Sequence, residues 1–242
     1  MIQLENVSKT YKSKTVLHPV SMNIEEGKSI GIIGPNGAGK STFLKLVASL
    51  EKPTDGTLSF NGVPYRKNVK NLRKHIGYIP QDIALYEELT VKEQISFWKR
   101  VSLEKPDPSF IKQMIRTLRL DEVYKQRVDR LSGGWRRKVN LLVGFMNNPS
   151  ICLLDEPTAG IDLAAKEDIL TWLQSFHNQG KTLLYISHDW YELNQLSDEY
   201  LLFAKGRPIV RATREELLRE KDLIMEQYPE EQELQNILKF FK

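Results

Sequence analysis

Three short stretches carry residue types that could do chemistry together. The first is GPNGAGKS, Gly34 to Ser41, which follows the apolar run SIGIIG and precedes the helical pattern TFLKLVASL. Gly37 and Gly39 let a loop bend tightly and aim successive backbone N–H groups inward without a clashing Cβ. The helix N-terminus adds partial positive charge, Lys40 can neutralise β- and γ-phosphates, and the Ser41 hydroxyl can ligate Mg²⁺. An ordinary glycine turn would explain the glycines, but not the full G-x-x-x-x-G-K-S pattern between a strand and a helix.

The second stretch is ICLLDEP, Ile151 to Pro157. Four apolar residues suit a buried parallel strand, and the C-terminal edge of such a sheet is where ligands sit. Asp155 is then placed to hold Mg²⁺, and Glu156 to polarise an attacking water. Without the phosphate loop, a solvated turn would explain the two carboxylates equally well. The third stretch is LSGGWRRK, Leu131 to Lys138. Ser132 reads as an N-cap, and Gly133 and Gly134 leave N–H groups approachable at a helix start. Arg136, Arg137 and Lys138 in the first turns oppose the helix dipole, so either this is an anion trap or the cations form a solvated face.

The elements that must position these stretches alternate. Strand-like runs at IQLENV, SIGIIG, TLSF, IGYI, ICLLD, TLLYI and EYLLF are separated by turns and helical patterns, which is α/β alternation. Asp55-Gly56 and Asn61-Gly62 favour hairpins, so an antiparallel portion is expected beside a mainly parallel core. Helical patterns dominate from about 82 to 148, and one or two amphipathic helices are expected from about 214 to 242. The chain reads as one domain over residues 1–242, and no apolar run is long enough to span a bilayer.

Composition narrows the classes. The net charge of +4 is modest and no nucleic-acid motif accompanies it, so nucleic acid is not an expected partner. No secretory signal is visible, the single cysteine, Cys152, suits a reducing compartment, and His18, His75, His177 and His188 form no zinc pattern.

Taken in order, Tyr11, GPNGAGKST, Gln81 in IGYIPQ, LSGG, ICLLDEP, AGID and His188 in YISHD resemble the ATP-binding subunit of an ATP-binding-cassette (ABC) transporter over roughly residues 1–215. The resemblance implies a P-loop nucleotide-binding α/β core with an antiparallel β subdomain and a helical subdomain. It also implies ATP with Mg²⁺, hydrolysis coupled to transport, and an ATP-dependent head-to-tail dimer with itself or a paralogue. In such a dimer LSGG of one chain serves the ATP of the other. By this resemblance Gly34, Pro35, Asn36, Gly37, Ala38, Gly39, Lys40, Ser41 and Thr42 cradle ATP, and Tyr11 stacks on adenine. Gln81 touches Mg²⁺ and the water, Ser132, Gly133 and Gly134 bind γ-phosphate in trans, and His188 contacts γ-phosphate and helps fix Glu156. Asp162 joins the two sites across the interface. The partner is an integral membrane permease on a separate chain, docking near Gln81 on Leu85, Tyr86 and Phe97, with the subunit at the inner face of the cell membrane. Wording such as PNGAGKST and TAGID resembles the single-cassette exporter branch. A soluble ABC ATPase acting on ribosomes or DNA is the alternative, and a P-loop small-molecule kinase leaves the later motifs unexplained. One departure stands out: the family usually has Gln at Trp135.

Overall fold

The computed structural model describes residues 1–239, the side chain of Glu233 excepted. In chain order the elements are β1 (Ile2–Tyr11), β2 (Lys14–Ile24), β3 (Ser29–Ile33), α1 (Lys40–Val47), β4 (Asp55–Phe60), β5 (Val63–Pro64), α2 (Tyr65–His75) and β6 (Ile76–Ile79). They continue with α3 (Val91–Val101), α4 (Pro108–Thr117), α5 (Gly133–Phe145), β7 (Ile151–Asp155), α6 (Leu163–His177) and β8 (Thr182–Ile186). The last are α7 (Trp190–Leu196), β9 (Glu199–Ala204), β10 (Arg207–Ala212), α8 (Arg214–Gln227) and α9 (Gln232–Lys239). Residues 240–242 of the expected helical tail lie outside the described residues.

Strands β3, β7 and β8 are buried at every position. Successive side chains point to opposite faces, so a run buried throughout needs cover on both sides. Ile30, Ile32, Leu153, Leu184, Ile186 and Phe203 share one core with β1, β2, β4 and α1. Ile33, Cys152, Leu154, Leu183, Tyr185 and Leu202 belong to the other, under the helices. The sheet between them has the order β10-β9-β3-β8-β7-β6 and is parallel from β9 to β6, with β10 antiparallel at the edge. A second, antiparallel sheet has the order β2-β1-β4-β5. Burial pushes the Cys152 thiol well above its ordinary value, so this cysteine is a core residue rather than a reactive one.

Two expectations about turns divide. Asn61 and Gly62, both at positive φ (50° and 77°), close the β4–β5 hairpin, with Phe60 opposite Val63. Asp55-Gly56 is no hairpin turn: it opens β4 and meets β1 at a register shift between Glu5 and Ser8. Strands β2 and β10 are absent from the pattern reading for one shared reason. Both are edge strands carrying a proline (Pro19, Pro208), which an unpaired edge tolerates and which breaks the apolar alternation.

Helix α3 starts at a capping box in which Thr90 accepts from the Glu93 N–H and Glu93 accepts from the Thr90 N–H. Helices α5 and α6 meet through stacked rings: Phe145 and Trp172 have centroids 5.7 Å apart, and Trp172 and Phe176 5.0 Å apart. Phe145 is fully buried, so Phe145→Ala should lower the unfolding free energy by about 3–5 kcal/mol. The urea midpoint measures this, and an unchanged midpoint would show that the α5–α6 contact does not rest on the stack.

Candidate functional site

The phosphate loop joins the end of β3 to α1. Gly34 (φ 149°) passes so close to β9 that a Cβ would lie 2.2 Å from the Phe203 carbonyl oxygen. Gly39 (φ 93°) is the residue before the first helical turn, and a Cβ there would lie 2.7 Å from the Val16 carbonyl oxygen. The loop is therefore held against β2 and β9 by backbone approach alone. Lys40 is buried, and its ammonium donates to the Gly34 and Pro35 carbonyls at 2.6 and 2.8 Å. Pro35 and Ala38 are buried, Asn36 and Gly37 exposed, and Ser41 and Thr42 half-buried. Tyr11, at the end of β1, is 41% exposed; its hydroxyl bonds to Glu51 and Thr42, and the Lys9 ammonium sits 4.9 Å from the ring centroid. Burial and then Glu51 push its pKa up to about 12, so the ring stays neutral.

Gln81, Glu156 and His188 come from the C-terminal ends of the neighbouring strands β6, β7 and β8. Gln81 Nε2 donates to Glu156 Oε2 at 3.1 Å, and His188 Nε2 lies 3.5 Å from Glu156 Oε1. Glu156 itself takes φ 50°, uncommon for a residue with a side chain, and its N–H donates to the Ile186 carbonyl at 3.0 Å. The strained backbone turns the carboxylate out of the sheet between an amide and an imidazole.

Beside it, Asp155 at the end of β7 is buried, and desolvation raises its pKa against a hydrogen bond from Ser41. Asp155 Oδ1 has no hydrogen-bond partner among the described residues. An orphaned carboxylate oxygen next to a hydroxyl is a pair of hard oxygen donors, so these residues fit Mg²⁺, which takes few protein ligands and completes its shell with phosphate and water. The other histidines stand elsewhere: the His75 ring packs on Phe60 at 5.1 Å, His177 bonds to the Lys181 carbonyl at 3.0 Å, and the His18 N–H to the Gly206 carbonyl at 2.9 Å.

The second glycine loop has different neighbours. Ser132 and Gly133 are exposed, whereas Gly134 is buried where a Cβ would lie 2.6 Å from Ala165 Cβ and 3.2 Å from Asp162 Oδ2. Asp162 caps α6, accepting from the Ala165 N–H at 2.9 Å. Two expectations need correction. Ser132 occupies the N-cap position, but its side chain makes no capping hydrogen bond. Nor do the three cations form an anion trap. Arg136 bonds to the Leu131 and Asp129 carbonyls at 3.1 Å each, and Lys138 to Asp168 at 2.6 Å. Arg137, 5% exposed, donates to the Pro80 and Gln81 carbonyls at 3.2 and 2.9 Å. The backbone N–H groups and the exposed Ser132 hydroxyl remain at the helix start to meet an anion. Trp135 takes no part in the loop: Lys138 lies 4.5 Å over its ring, and the indole packs against the helical core.

Sequence reasoning left Arg137 and Lys138 to an anion trap or a solvated face, yet the signal for burial was present. Gly134, Arg137, Lys138, Leu141, Leu142 and Phe145 follow the i, i+3, i+4, i+7 pattern of one buried helix face. Glu192 was missed as well; it is buried against Thr158 and Ser187, and desolvation pushes its carboxyl up to about 7. Because Arg137 fastens α5 to the Gln81 segment, Arg137→Met should cost about 1–3 kcal/mol. It should also raise amide exchange at Gln81 and Asp82 about tenfold over the rest of the chain. Unchanged exchange at those two amides would remove Arg137 as the fastening.

Residues 17–159 match the family described as ABC transporter. The chain is 32% identical over 219 residues to the linearmycin resistance ATP-binding protein LnrL of Bacillus subtilis (strain 168), covering 90% of this chain and 70% of that one. It is 32% identical over 216 residues to the sulfate/thiosulfate import ATP-binding protein CysA of Vibrio cholerae serotype O1, covering 85% of this chain and 56% of that one. The solved dimeric structure of a post-hydrolysis state of the ATP-binding cassette MJ0796, bound to ADP and Pi, superposes with a TM-score of 0.77 at 27% identity, covering 88% of this chain and 98% of that one. The parallel sheet, phosphate loop and strand-end carboxylates described above are thus those of a P-loop ATPase fold, and the chain belongs to the ABC transporter family as one of its ATP-binding, ATP-hydrolysing cassettes.

Proposed function

We propose that this cassette powers transport through an integral membrane permease on a separate chain, working as an ATP-dependent head-to-tail dimer. The observation that carries the reading is the meeting of Gln81, Glu156 and His188 at the strand ends beside the phosphate loop. The loop from Gly34 to Thr42, through its backbone N–H groups (Pro35 has none), and the Lys40 ammonium hold the phosphates of ATP, and Tyr11 offers its exposed ring to adenine. Ser41, Asp155 and Gln81 would hold Mg²⁺, which would supply positive charge to the phosphates of ATP. Glu156 accepts a proton from the attacking water as its oxygen bonds to the γ-phosphorus and the bond to ADP breaks. His188 keeps the carboxylate aimed and contacts the γ-phosphate.

The two glycine loops pack against different segments, so the exposed N–H groups at Ser132 and Gly133, with Gly134 behind them, suit the γ-phosphate of a neighbour rather than their own. Asp162, in contact with Gly134, lies where it can link the two sites. The dimeric state of the MJ0796 cassette supports this arrangement. The chain reads as one cassette, with a helical subdomain at about 82–148 and a helical tail from about 214. Tyr86, 48% exposed, forms an aromatic cluster with Phe97 at 4.9 Å and Trp98 at 6.2 Å. Together with Leu85 it makes a permease-facing surface near Gln81. Among the described residues no helix is long and apolar enough to cross a membrane. By its resemblance to such subunits the cassette would sit at the inner face of the cell membrane, held there by the permease. The wording PNGAGKST and TAGID favours export, and the likeness to CysA, an import ATP-binding protein, makes direction a question for the permease.

Glu156→Gln should slow phosphate release by roughly 10²–10⁴-fold while ATP binding persists. Its mass by light scattering should double with ATP and return to the monomer value when Ser132 is also changed to Trp. A variant that binds ATP yet stays monomeric would sink the homodimer.

A further inference from the structure

Glu192 is the third residue of α7, where a glutamate ordinarily turns back to the backbone of the capping residue to complete a capping box. Here only half of that arrangement forms. The Glu192 N–H donates to Asp189 Oδ1 at 3.1 Å, but the Glu192 carboxylate points inward and is 1% exposed. Its Oε2 accepts from Thr158 Oγ1 at 2.6 Å and from Ser187 Oγ at 2.9 Å. Ser187 Oγ in turn accepts from the Asp189 N–H at 3.0 Å, and Lys166 pairs with Asp189.

Those two hydroxyls belong to the segments that carry the reacting groups. Thr158 follows Glu156 in the turn leading to Asp162, and Ser187 immediately precedes His188. A cavity of about 340 Å³ lies beside the segments, lined among others by Glu156, Thr158, Lys166, Ser187, His188 and Glu192. Glu192 Oε1 is buried there without a hydrogen-bond partner among the described residues. Burying a carboxyl with one oxygen unsatisfied is costly, and packing alone would be served as well by an apolar side chain. What an apolar side chain cannot do is accept from both hydroxyls at once.

We propose that Glu192 is a positioning residue for ATP hydrolysis, its one carboxylate oxygen clamping the turn after Glu156 to the turn before His188 so that the Glu156–His188 approach is held. The proposal rests on the roles given above to Glu156 and His188. Its consequence is that the two turns move as a unit. Loosening the clamp misplaces the carboxylate that polarises the water without touching the phosphate loop that binds ATP.

The test is steady-state phosphate release by wild type, Glu156→Gln, Glu192→Met and Glu192→Gln, with a thermal melt of each. Glu192→Met keeps the volume and removes the acceptor. It should melt cooperatively and lower kcat about tenfold or more while KM for ATP stays within about twofold. Glu192→Gln restores an acceptor oxygen and should recover kcat to within about threefold of wild type. A folded Glu192→Met with wild-type kcat overturns the clamp, as does a Glu192→Gln as slow as Glu192→Met. If Glu192→Met does not fold, Thr158→Val and Ser187→Ala each remove one donor: lowered kcat at unchanged KM supports the clamp, and wild-type kcat in both overturns it. Wild type that releases no phosphate, or Glu156→Gln as fast as wild type, removes the hydrolytic reading and this one with it. A slow Glu156→Gln beside an unaffected Glu192→Met removes the clamp alone.

Discussion

The hydrogen bond from the Glu156 N–H to the Ile186 carbonyl continues the β7–β8 ladder one residue past its last paired position, Asp155 opposite Ile186. It holds Glu156 at a positive φ, a conformation that costs a residue with a Cβ roughly 1–3 kcal/mol. Gln81 and His188 meet the carboxylate only because this rung fixes where the backbone leaves the sheet. Parallel register does the rest: β6 and β8 flank β7, so the residues just past their ends emerge side by side. A shift of one residue in any of these strands would also exchange its two buried faces, which lie in different cores. Packing of the cores therefore guards the geometry of the site.

The same residue type solves two different problems in the two glycine loops. In the phosphate loop, Gly34 and Gly39 let the backbone run against Phe203 and Val16 with positive φ. In the second loop, Gly134 is needed for closeness to Ala165 and Asp162, and no positive φ is involved. The first loop is shaped to enclose a ligand, and the second to dock a helix start onto the segment that follows Glu156.

Buried charge is used here for connection. Arg137 reaches from α5 to the Gln81 backbone, Lys138 from α5 to α6, and Glu192 from α7 to the turns on either side of the strand-end cluster. Such groups contribute little net stability, because desolvation offsets their attraction, but they tie one segment to another in a single geometry. Their placement around Gln81, Glu156 and His188 links the helical elements to the sheet edge where the chemistry is read.

The order of motifs, the alternation of strands and helices and the placement of Lys40, Ser41, Asp155 and Glu156 at element ends were legible in the sequence by itself, because each rests on local spacing or on apolar runs that local rules interpret. The edge strands β2 and β10 were not, since prolines interrupt the alternation that marks a strand. Arg137 and Lys138 were misread for a deeper reason. Charge suggests exposure, to an anion or to solvent, and only the partners supplied by distant segments, the Gln81 carbonyl and Asp168, make burial affordable. Glu192 is the same case: for the third residue of α7, a capping box would have been the local fate. Tertiary structure decided otherwise by bringing Thr158 and Ser187 to its carboxylate, because hydrogen bonds between residues far apart in the chain exist only once the sheet has set the register.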